Sequence, residues 1–166
     1  MSVPMAWLMA THGLEALGGA EIDAIRDFTL LWSLFEGKAM GTRGTQNELA
    51  AAVERMALPT PLQAAFLEAL AFWRNRYWLD GVQTHAFREL GFAENPHREQ
   101  VIAVLSGVDN APLPVATALL QVAMRLRNNL FHGAKWRYGI RDQLANFTHA
   151  NSILMLAIEM SPDPPP

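Results

Sequence analysis

The stretch PLPVATALLQVAMRLRNNLFHG, residues 112–133, decides the fold. Leu113, Ala116, Leu119, Leu120, Ala123 and Leu126 recur at the three- and four-residue intervals that place them on one face of a helix. Pro112 or Pro114 suits a first helical turn, where the missing amide has no partner to lose, and Gly133 suits the residue just past the end. The spacing therefore predicts a long helix running towards Leu130. Such a helix needs other helices to cover its apolar face.

The flanking sequence has the same periodicity. Downstream, Ile140, Leu144, Phe147, Asn151, Leu154 and Ile158 alternate by four and three, and the run stops at Ser161-Pro162, leaving a Pro-rich tail over 161–166. Upstream, Asn95-Pro96 is a helix entry that leads into Val101, Ile102 and Leu105 before Gly107. Thr60-Pro61 has the same form and precedes Leu62, Phe66, Ala69, Trp73 and Tyr77, which predicts a helix to about Gly81. Thr45-Gln-Asn-Glu48 fits a capping box opening a short helix to about Met56. Ile22, Ile25, Thr29, Trp32 and Phe35 share a face of a first long helix ending near Gly37, and 37–45 is expected to be a loop. No segment shows the sustained alternation of a strand. The expected fold is all-α, a bundle of about five or six helices forming a single domain over 1–160.

Composition agrees with a packed helical protein. The chain has 166 residues, of which 51% are hydrophobic and 17% charged. It has no cysteine, which excludes disulfides, thiol catalysis and thiolate metal sites in this chain. The apolar segment Met1 to Ala10 lacks the basic flank of a secretory signal and contains Pro4, and no stretch reaches the roughly 20 apolar residues of a membrane span. A cytoplasmic protein with no membrane association is the expectation.

The net charge of −3 is unevenly distributed. Residues 125–141 contain Arg125, Arg127, Lys135, Arg137 and Arg141 and no acid, whereas the remainder carries −8. A basic patch on an acidic body directs a phosphate backbone to one place. Cations after a helix also complement its dipole, so charge alone leaves both readings open. Within the patch, Arg127 and His132 are the chemically suggestive pair. A guanidinium stabilises phosphate charge, and an imidazole moves a proton near neutral pH. Their spacing alone is an ordinary accident of composition. The helix terminus, the glycine that follows and the positive surroundings give it weight.

Residues 127–135, RNNLFHGAK, resemble the R-x(4–6)-H motif of the HEPN superfamily, including a polar residue directly after the arginine. The likeness is close over about nine residues. Leu31-Trp32-Ser33-Leu34-Phe35-Glu36, in the first long helix, and the helical layout support it more loosely. The resemblance implies a HEPN-like helical bundle, commonly a homodimer in which two motifs meet in one cleft. It implies a metal-independent endoribonuclease of toxin, defence or RNA-processing type, or alternatively a non-catalytic module that binds RNA, a nucleotide or a partner protein. By the same resemblance, Arg127 binds the scissile phosphate, His132 is the general acid or base, and Asn128 positions the phosphate or the pair. Arg125, Lys135, Arg137 and Arg141 hold the RNA, and Glu36 offers acidic support. No metal or cofactor is expected. An antitoxin such as a nucleotidyltransferase is a possible partner.

Other candidates have plainer readings. Phe72-Trp-Arg-Asn-Arg-Tyr-Trp78 interleaves aromatic and basic residues as single-strand binding surfaces do, but at helical spacing Trp73 and Tyr77 belong in the core with the arginines on a solvated face. His12, His85, His97 and His149 lack metal-site spacing and read as surface or capping residues.

Overall fold

Residues 112–131 form the central helix, and it is buried almost all round rather than along one stripe. Every residue from Val115 to Met124 is buried, while Leu113, expected on the inner face, is 41% exposed. The computed structural model describes residues 2–12, 17–41, 44–132 and 143–162. In chain order these form α1 (Val3–His12), α2 (Gly19–Phe35), a π-helical turn (Glu36–Met40), α3 (Gln46–Glu54), α4 (Ala64–Tyr77), β1 (Trp78–Leu79), β2 (Val82–Gln83), α5 (His85–Glu89), α6 (Pro96–Leu105), α7 (Pro112–Phe131) and α8 (Leu144–Met160). Helix α7 is enclosed by α3, α4, α6 and α8, and α2 lies along α8. The fold is mostly helical. No helix among the described residues is long and apolar enough to cross a membrane.

Two helix entries follow their sequence signals. Thr45 Oγ1 accepts the Glu48 amide and Glu48 Oε2 accepts the Thr45 amide, so both halves of the capping box form. Asn95 Oδ1 accepts the Arg98 amide with Pro96 at the first turn. Each such cap contributes about 1 kcal/mol. The Thr60-Pro61 expectation is corrected. That peptide bond is cis, and α4 starts only at Ala64, after Gln63.

The chain also departs from the expected run to Gly81. Helix α4 stops at Tyr77, and Trp78 pairs with Gln83 and Leu79 with Val82 in a two-stranded antiparallel hairpin. Asp80 and Gly81 both have positive φ, 51° and 79°, as a tight primed turn requires. The Asp-Gly pair is the signal for this turn, but with two residues per strand there is no alternation to accompany it. The other additions are α1 and α5, giving eight α-helices among the described residues where five or six are expected. Helix α5 has only five residues, too few for a period, and rests on Thr84 Oγ1 accepting the Phe87 amide. Residues 37–40, expected as loop, belong with Glu36 to the π turn that continues α2, which Arg55 fastens by donating from Nη2 to the Ala39 carbonyl at 2.8 Å.

The core contains polar groups that are hydrogen-bonded to one another. Asn146 Oδ1 accepts from Trp73 Nε1 at 3.0 Å and from the Tyr77 hydroxyl at 3.2 Å, and its own amide donates to Gln143 Oε1 at 2.8 Å. These bonds tie α4 to α8 across the apolar interior. Gln121, fully buried on α7, accepts from Gln46 Nε2 and donates to the Gln46 carbonyl, joining α7 to the start of α3. Pairing matters because a buried amide without a partner costs about 1–3 kcal/mol. Residues 161–162 end the described chain after α8. Gly133 and Ile140 lie outside the described residues.

Candidate functional site

The C-terminal end of α7 meets α2 at the point where α2 widens into the π turn. Thr29, Trp32, Ser33 and Glu36 from α2 and the start of the π turn, with Arg127 and Phe131 from α7, line a cleft of about 500 Å³ that Gly37 and Gly41 also border. Thr29, Ser33 and Glu36 share a face because they are spaced four and three apart. Arg127 and Phe131, four apart on α7, share the opposing face.

The polar groups of the cleft are arranged around one cation. Trp32 donates its indole N–H to Glu36 Oε2 at 2.6 Å, and the same oxygen stands 3.8 Å from Arg127 Nη2. Arg127 donates from Nη1 to Asn128 Oδ1 at 3.1 Å. Its guanidinium carbon lies 5.3 Å from the Phe131 ring centroid, within cation–π range. Among the described residues the Asn128 contact is its one hydrogen bond, and its Nε is buried without a partner. With 32% of its side chain exposed and five N–H donors, Arg127 retains unspent capacity for an anion. Gly44 crowds the far side of the acid. A Cβ there would lie 2.6 Å from Glu36 Oε1, and its φ of +31° disfavours any other residue.

His132 caps α7 with φ −87° and ψ 9°, its amide donating to the Asn128 carbonyl at 2.9 Å, and its side chain is exposed. Five residues separate it from Arg127, about 7.5 Å of rise along a helix axis. The structure thus brings Arg127, Asn128 and Glu36 together and leaves His132 beyond them at the helix end.

Arg125 faces away from the cleft. Two residues apart on a helix is about 200° of rotation, and Arg125 Nε donates to the Leu90 carbonyl at 2.9 Å while its guanidinium stacks 5.8 Å from the Phe92 ring. Burial lowers its pKa. Asn129, also turned this way, donates to the Glu89 carbonyl at 3.1 Å. These contacts fix the end of α7 against the loop after α5. Lys135, Arg137 and Arg141 lie outside the described residues.

The aromatic–basic segment of α4 is largely core. Trp73 and Tyr77 are buried, and desolvation pushes the Tyr77 phenol up to about 12. Arg74 departs from the solvated role expected of it. Its Nε and Nη2 donate to the Val104 carbonyl and Nη2 also to Asn110, tying α4 to the end of α6. His97 Nε2 lies 2.7 Å from Asn47 Oδ1, and the exposed His85 faces Glu89 at 3.7 Å. His149 stacks on Phe72 with centroids 4.6 Å apart, and burial lowers its pKa against a smaller upward pull from Glu68. Among the described residues, no three His, Asp or Glu side chains are grouped to hold a metal ion.

Sequence reading missed the cleft roles of Trp32, Thr29, Ser33 and Phe131. The four-residue spacing of Trp32 and Glu36 was the available signal for their hydrogen bond. Comparison with family models, curated proteins and solved structures returns no match.

Proposed function

We propose that this chain is an endoribonuclease that cuts single-stranded or loop RNA without a metal ion, using Arg127, Asn128 and His132. The observation that carries this reading is the Arg127 guanidinium. It is steadied by Asn128 in an open cleft, its donors are mostly uncommitted, and an exposed imidazole lies at the end of the same helix. In the proposed reaction the RNA 2′-oxygen attacks the adjacent phosphorus as its proton leaves to a base. The P–O5′ bond breaks, and the departing oxygen takes a proton from an acid. The products are a 2′,3′-cyclic phosphate and a 5′-hydroxyl. Arg127 stabilises the charge on the phosphoryl oxygens, and His132 serves as acid or base.

Glu36 acts in this scheme as a positioning residue, balancing Arg127 without closing on it. A homodimer that joins two clefts supplies a second His132, so one imidazole takes a proton and the other gives one. The exposed Leu30 and Leu34, one helical turn apart on α2, offer apolar surface beside the cleft for such a contact. The position of His132 beyond Arg127 in one chain favours a second reading, a module that binds RNA, a nucleotide or a partner protein without cutting.

The test is incubation of purified protein with RNA in chelator. Cleavage by the wild type and its loss in Arg127→Ala and His132→Ala is the expected result. Equal cleavage by all three removes the assignment, and binding without product identifies the second reading.

A further inference from the structure

We infer that Phe131 is a stacking platform for one unpaired nucleobase, so that the cleft reads a base beside the phosphate held by Arg127. This rests on the proposed RNA reading and adds the recognition element that selects single-stranded substrate. Phe131 is 56% exposed although it ends α7, in which every residue from Val115 to Met124 is buried. Its ring lines the cleft, and the Arg127 guanidinium lies 5.3 Å from its centroid. An aromatic face and a guanidinium so placed match the two adjoining parts of a nucleotide, base and phosphate. The opposite wall sets the polar side chains of Thr29, Ser33 and Glu36 beside Trp32. That wall suits the hydrogen-bonding edge of a base better than the side chain of an apolar peptide. A duplex keeps its bases stacked on one another and cannot offer one to this ring.

The position on α7 supports the assignment. Phe131 is the last helical residue, and His132 follows it directly. A base resting on Phe131 therefore brings its own sugar and phosphate to the helix end that carries the imidazole. The ring acts by positioning, since it has no group that transfers a proton.

The experiment measures binding of the full chain to three probes of equal length: single-stranded 2′-O-methyl oligouridylate, its duplex with a complementary strand, and an abasic oligomer with the same phosphates. The 2′-O-methyl group removes the nucleophile, so binding is read without cutting. The wild type is expected to bind the single strand about tenfold more tightly than the abasic oligomer or the duplex, within the range of one base–aromatic stack. Phe131→Ala should lose that preference, and Phe131→Trp should keep it. Circular dichroism checks that the variants fold, as exposure of the ring predicts. Equal wild-type binding to single-stranded and abasic probes overturns the platform but leaves the Arg127 phosphate reading standing. Retention of the preference in Phe131→Ala, even with an altered oligomeric state in sedimentation, also overturns it. Binding to none of the probes overturns both the platform and the RNA reading beneath it.

Discussion

Glu36 Oε2 stands 3.8 Å from Arg127 Nη2, beyond hydrogen-bonding distance, while the Trp32 indole donates to the same oxygen at 2.6 Å. The acid therefore orients the cation electrostatically without consuming its donors. Replacing Glu36 with Gln keeps an acceptor for Trp32 and removes the negative charge beside Arg127. Affinity for non-cleavable single-stranded RNA should rise by about two- to fivefold, the effect of a partly exposed pair. Fluorescence anisotropy at low and high salt measures it, and a weaker or unchanged affinity rejects this role.

The two arginines on opposite faces of α7 should separate stability from binding. Arg125→Ala removes the bond to the Leu90 carbonyl and the packing on Phe92, at a cost of about 1.5–3 kcal/mol. Its RNA affinity should stay near the wild-type value. Arg127→Ala should do the reverse, with a small change in stability and binding weakened at least tenfold. Urea unfolding and RNA titration of both variants check this, and a shared phenotype would show that the faces are not distinct.

Asn146 is the acceptor shared by Trp73 and Tyr77. Asn146→Ala leaves two buried donors unpaired and should destabilise the fold by about 3 kcal/mol or more, whereas Tyr77→Phe should cost about 1 kcal/mol. The Tyr77 phenol, pushed up to about 12 by burial, adds a pH signature. Its folded pKa exceeds the ordinary 10.0, so its contribution is full below pH 10 and is lost as pH rises towards 12. Alkaline unfolding curves should therefore be shallower for Tyr77→Phe than for the wild type.

His149 has the opposite linkage. Burial lowers its pKa below 6.5, so the unfolded chain takes up this proton more readily than the folded one. Stability should fall as pH drops through 6.5 towards the lower folded value, and the loss is complete below both. His149→Phe preserves an aromatic ring against Phe72 and should flatten the melting temperature between pH 7.5 and pH 5. Parallel profiles for wild type and variant would refute this contribution.

The helical part of the fold was legible wherever a cap and a period coincided. Thr45 with Glu48, and Asn95 with Pro96, mark real entries because the cap is a local hydrogen bond that needs no tertiary partner. Thr60-Pro61 has the same composition and caps nothing, since α4 begins three residues beyond Pro61. The π turn at 36–40 was hidden by Gly37, which reads as a terminator, and it is held from a distance by Arg55. At the site, Arg127 and Glu36 were both identifiable by type, but their proximity depends on the fold bringing the end of α7 to the start of the π turn. Arg125 and Arg127 look equivalent in a charge count, and only the helical phase separates an anchoring arginine from one in a cleft.

The central claim is that the Arg127 and His132 site cuts RNA through the 2′-hydroxyl, and mass spectrometry of the products made in chelator tests it most directly. The account predicts fragments ending in a 2′,3′-cyclic phosphate with a 5′-hydroxyl on the downstream piece, abolished in both Arg127→Ala and His132→Ala. Fragments bearing a 3′-hydroxyl and a 5′-phosphate, or cyclic-phosphate products that persist in either variant, would contradict it.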